Sequence, residues 1–81
     1  MITRTVSAQH FKPFDRESAS LLSHDLSRFD AAVMILDGNR SINAKSLLGL
    51  LSFGFPSGDS FTLQADGIDE EEAMARVLQS F

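Results

Sequence analysis

The dipeptide Asp37-Gly38 constrains the fold of this chain more than any other feature of its sequence. It separates two short runs with strand character, residues 32–36 and 40–43. Asp-Gly between such runs is a strong signal for a tight β-hairpin. A hairpin commits the chain to at least one antiparallel pair, and the surrounding segments decide what that pair joins.

Residues 2–8 alternate in period two and carry β-branched side chains, so they read as a first strand. Residues 9–14 form a loop holding Pro13. Asp15 has the character of a helix N-cap, with Glu17 in the first turn, where negative charge is favoured. Ala19, Leu22, Leu26 and Phe29 recur at helical spacing with Leu21 beside them, which predicts a helix over residues 16–28. After the hairpin, a short apolar helix is expected over residues 47–53, and Gly54, Pro56 and Gly58 then break the chain. Residues 60–65 alternate as a last strand, with Phe61 and Leu63 on one face. Asp69 is expected to cap a final helix. Glu70, Glu71 and Glu72 load its first turn, and Ala73, Val77 and Phe81 form its inner stripe. The order β-α-β-β-α-β-α predicts one α+β domain over residues 1–81, with an antiparallel sheet, helices on one face and the other face open to solvent.

Composition excludes several function classes. A chain of 81 residues has one small core, and 43% hydrophobic residues are enough to fold it. With no cysteine, neither disulfides nor thiolate metal sites are available. His10 and His24 are the only histidines and have no paired ligands in register, so no metal site and no cofactor is expected. A net charge of −4 with scattered arginines and lysines argues against direct nucleic-acid binding. No apolar run approaches the ~20 residues that span a bilayer. The first residues alternate and lack a signal peptide's apolar stretch, so the expected location is the cytoplasm.

The stretch from Asn43 to Ser52 carries the clearest chemistry. Ser46 is a good N-cap, because its hydroxyl can accept a bond from an orphan N–H of the helix's first turn. A phosphate on it would meet the positive end of the helix dipole. Leu47, Leu48, Leu50 and Leu51 are too many for a short helix to bury. Leu50 is expected in the core, and Leu47, Leu48 and Leu51 lie close together as a sticky patch. Phe53 and Phe55 either extend that patch or close the edge of the core.

Asp37-Gly38-Asn39-Arg40-Ser41-Ile42-Asn43-Ala44-Lys45-Ser46 resembles the hairpin and regulatory-serine segment of the HPr family, small phosphocarriers of the bacterial sugar phosphotransferase system. Gly58-Asp59, Gly67-Ile68-Asp69-Glu70-Glu71-Glu72-Ala73, Ala19-Ser20-Leu21-Leu22 and Ser27-Arg28-Phe29 resemble other blocks of that family. The resemblance runs without insertion from Phe29 to Leu78 and implies an open-faced β-sandwich, a four-stranded antiparallel sheet with three helices on one face.

The family's carrier loop is altered. Where the family has its phosphorylatable histidine, a small residue, arginine and proline, this chain has Asp15-Arg16-Glu17-Ser18. A phosphoryl group there would face two carboxylates rather than a cation. A second alignment sets His10-Phe11-Lys12-Pro13 on the histidine motif, but it needs compensating shifts and puts His10 at the end of a strand. The resemblance therefore implies a non-carrier, regulatory member without catalytic turnover of its own, similar to the catabolite-repression branch that lacks the histidine and keeps the serine. In that reading an HPr kinase/phosphorylase modifies Ser46, and the product binds a LacI-type transcriptional repressor. Asp15, Arg16, Glu17, Ser20, His24, Leu47, Leu48, Gly49, Leu51 and Ser52 are the implied partner-binding positions. The alternatives are a working carrier that accepts phosphate from Enzyme I on His10, and a degenerate domain that only binds partners.

Overall fold

The computed structural model describes the whole chain, Met1–Phe81. The elements are β1 (Ile2–Ser7), α1 (Arg16–Leu26), β2 (Ala32–Asp37), β3 (Arg40–Asn43), α2 (Leu47–Phe53), β4 (Ser60–Asp66) and α3 (Glu70–Leu78). The four strands form one sheet in the order β1-β4-β2-β3, and every neighbouring pair is antiparallel. β1 and β2 flank β4, so α1 joins two strands with a third lying between them. α2 does the same for β3 and β4 across β2.

The hairpin is built on Gly38. Asp37 pairs with Arg40, leaving Gly38 and Asn39 as the two loop residues. Gly38 has φ 59, and no non-glycine residue has positive φ. A glycine at the first of two loop positions is the II′ arrangement, whose twist matches the strands it joins.

Alternation along the strands sorts the two faces of the sheet. Val33 and Ile35 of β2 and Phe61, Leu63 and Ala65 of β4 are buried against the helices. Met34, Leu36, Thr62 and Gln64 point to the other face and are half-buried. The helices supply Ala19, Leu22 and Leu26 from α1, Leu50 and Phe53 from α2, and Ala73, Met74 and Val77 from α3. These side chains form one contiguous core.

Some expected details differ. α1 ends at Leu26 rather than at residue 28, because the Ser27 hydroxyl bonds back to the His24 carbonyl at 2.6 Å and the chain turns there. Phe29 therefore packs on the core from the loop that follows. Leu21 is 58% exposed: it lies beside the Ala19–Leu22–Leu26 row, about 100° round the helix from Leu22, and faces solvent. Met74 joins the inner stripe of α3, and Phe81 packs on the core from beyond the helix end.

Asp69 stands at the N-cap position of α3 but makes no capping bond. Its carboxylate instead accepts the N–H groups of Asp30 at 2.9 Å and Ala31 at 2.8 Å, stitching the α3 entry to the α1–β2 loop. The backbone bond from Asp30 is the main cause holding its pKa below the ordinary value. Gly67 completes the seam. A Cβ there would lie 2.5 Å from Ala31 Cα, so only glycine allows the two segments to meet.

Candidate functional site

Two helix starts, α1 at Asp15 and α2 at Ser46, carry the residues singled out by sequence. Asp15 sits in extended backbone, φ −92 and ψ 178, and forms a reciprocal capping box with Ser18. Asp15 Oδ1 accepts the Ser18 N–H at 2.8 Å, and Ser18 Oγ accepts the Asp15 N–H at 3.1 Å. The Ser18 backbone bond is the first cause lowering the Asp15 pKa, followed by the Ser18 side chain. Asp15 is thus an ionised cap. No ion pair joins it to Arg16 or to any other cation. Arg16 and Glu17 are exposed on the first turn.

His10 lies elsewhere. It occupies an exposed turn after β1, closed by the Phe11 N–H on the Ala8 carbonyl at 3.1 Å. It caps no helix, since α1 begins at Arg16.

Ser46 caps α2, accepting the Gly49 N–H at 3.1 Å. Its carbonyl takes the Leu50 N–H at 3.0 Å, so the cap leads straight into a fully buried anchor. The leucines divide as helical geometry requires. Leu50 is 1% exposed, whereas Leu47 is 37% and Leu48 78% exposed. Leu51 is half-buried against the core. Gly49 lies under the start of the helix, where a Cβ would come within 3.2 Å of the Asn43 carbonyl and of Ile42. Ser52 is exposed, with its hydroxyl on the Gly49 carbonyl at 3.1 Å. α1 packs beside α2 and presents Ser20 and His24, both exposed, one turn apart. Phe53 closes the core at 2% exposure, while Phe55 is 67% exposed.

The far end of α2 is held by a network built on the two residues that flank the hairpin loop. Asp37 is buried, and its carboxylate accepts the Ser57 N–H and Oγ–H, each at 2.9 Å, together with an ion pair from Arg40. Arg40 also donates to the carbonyls of Phe53 and Phe55, both at 2.8 Å, and lies over the Phe53 ring. A guanidinium on the last carbonyl of a helix complements its dipole. The Arg40 bond is the main cause depressing the Asp37 pKa, with Ser57 adding to it. Asp and Arg flanking a two-residue loop is a signal by which this staple could have been found.

Comparison with known proteins places this arrangement. The family model for the phosphotransferase-system HPr component phosphorylation site matches residues 3–81. The HPr-like protein Crh of Halalkalibacterium halodurans is 31% identical over 96% of this chain and 93% of its own length. The HPr-like protein Crh of Bacillus subtilis is 30% identical over 95% of this chain and 91% of its own. The crystal structure of HPr-C-His from Thermoanaerobacter tengcongensis superposes with a TM-score of 0.79 at 29% identity, covering 98% of this chain and 89% of that one. The fold is the open-faced sandwich of HPr-type phosphocarriers, which have no catalytic turnover of their own. The chain belongs to the HPr family and is similar to its Crh members.

Proposed function

We propose that this protein is a cytoplasmic, regulatory HPr-family member that does not carry phosphate and that acts through phosphorylation of Ser46. The observation that carries the reading is the capping box at Asp15. In the ungapped resemblance the carrier-histidine position is Asp15, an ionised carboxylate engaged with Ser18 and paired with no cation. Glu17 adds a second negative charge on the same turn. An incoming phosphoryl group would find no nucleophilic imidazole and no neutralising arginine at the places the family uses.

At the other helix start the chemistry is retained. Ser46 is partly accessible, its N–H neighbours favour an anion, and two exposed leucines follow it. In this reading an HPr kinase/phosphorylase transfers the γ-phosphoryl group of ATP to Ser46 Oγ. The modified surface of Ser46, Leu47, Leu48 and Leu51, flanked by Ser20 and His24, then docks a LacI-type repressor, with Arg16 as the nearest sequence substitute for the missing arginine.

Incubation with Enzyme I and labelled phosphoenolpyruvate tests the non-carrier half of this proposal. The expected result is no acid-labile, base-stable label on the protein. Label that appears and is lost in His10→Ala would establish the carrier alternative instead.

A further inference from the structure

Five of the six other phenylalanines gather around Phe11, an arrangement the proposed regulatory surface does not use. Phe11 stacks on Phe81 at 6.0 Å and 15°, and meets Phe61 edge-on at 5.7 Å; Phe61 and Phe81 are 5.1 Å apart. These three rings form the apolar wall of a cleft of about 390 Å³. That volume is within the range of small-molecule sites. The rim is polar and carries His10, Lys12 and Ser80. Lys12 and His10 make no hydrogen bond or ion pair within the chain through their side chains. Ser80 Oγ accepts from Arg76 at 3.2 Å, which leaves its O–H to donate.

No lining side chain is acidic, although the protein carries eleven Asp and Glu and a net charge of −4. A cation and hydroxyl donors beside an aromatic wall, with no acidic side chain among them, complement a ligand with a flat ring and a negative head. We infer that this cleft binds small aromatic anions, a ring bearing a phosphate or a carboxylate. The ring lies against Phe11, Phe61 and Phe81, and the head group meets Lys12. Because Phe11 also touches Phe14 before α1 and Phe53 at the end of α2, an occupant would rest on the packing between both helices.

The test is a titration of the full chain followed by amide chemical shifts, with phenyl phosphate, benzoate, inorganic phosphate and benzyl alcohol as probes. Phenyl phosphate and benzoate are expected to give saturable shifts at His10, Phe11, Lys12 and Phe81, with dissociation constants around ~1 mM for ligands this small. The tighter of the two identifies the preferred head group. Lys12→Gln should weaken both about threefold, as for an exposed charge contact, and leave benzyl alcohol unaffected. Arg4→Gln, an exposed cation outside the cleft, should change nothing. Absence of saturable shifts at about ten times that concentration would overturn the inference. So would inorganic phosphate binding as tightly as phenyl phosphate, which would make the rim a plain anion site, or the largest shifts falling around Ser46.

Discussion

Replacing Ser46 separates its structural role from its proposed regulatory one. The Ser46 hydroxyl satisfies one of the orphan N–H groups of α2 through the 3.1 Å bond from Gly49. Ser46→Ala removes that acceptor without touching the core, and such substitutions cost about 0.5–2 kcal/mol. In a domain of this size a loss of about 1 kcal/mol lowers Tm by roughly 4–8 °C. Ser46→Asp keeps an acceptor and places a negative charge at the helix start, a change that adds about 0.3–1 kcal/mol in favourable cases. The expected stability order is therefore Asp at least equal to Ser, and both above Ala. Thermal unfolding by circular dichroism, checked against urea midpoints, measures it. The same logic predicts that phosphorylation leaves the fold unchanged. Equal stability of Ser46→Ala and the parent, or a Ser46→Asp variant less stable than Ser46→Ala, would refute the cap argument.

The two leucines of α2 should behave as opposites: Leu50→Ala, at a fully buried site, should cost about 2–5 kcal/mol in urea unfolding, while Leu48→Glu should stay within about 0.5 kcal/mol of the parent. Asp37 has a folded pKa depressed below its ordinary 3.8, so unfolding takes up a proton near that pH. Its contribution is present above the unfolded pKa and is lost as pH falls through the folded one, and Asp37→Asn should flatten the acid limb of a stability–pH curve. Asp15→His alone should not restore phosphate carriage from Enzyme I, because Glu17 remains, whereas Asp15→His with Glu17→Arg should; a fast single variant would contradict the electrostatic account of the loop.

Much of the architecture was legible because local signals agreed with one another. Asp37-Gly38 announced the hairpin, and period-two alternation announced β1 and β4. Asp15 and Ser46 marked helix starts that the backbone adopts. What escaped were long-range pairings. Asp69 has the local pattern of a cap, yet its carboxylate is taken by Asp30 and Ala31, and nothing nearby in sequence indicates that choice. Leu21 adjoins the helical row in sequence, and the helix turns it outward. Phe11 looked like a loop residue and proved to be the centre of the aromatic cluster, since rings from β4, α2 and the chain end converge on it only after folding. The Asp15 and Ser46 sites were legible as caps; the Asp37–Arg40 pair has a local signal across the hairpin, but its reach to Ser57 and to the Phe53 and Phe55 carbonyls does not.

The most direct test of regulation through Ser46 is the affinity of a LacI-type repressor for three forms of this protein: phosphorylated on Ser46 by an HPr kinase, unmodified, and Ser46→Ala treated with the same kinase. Binding is expected only by the phosphorylated form, strengthened by Glu17→Arg. Equal affinity for all three forms would contradict it and leave Ser46 as a helix cap.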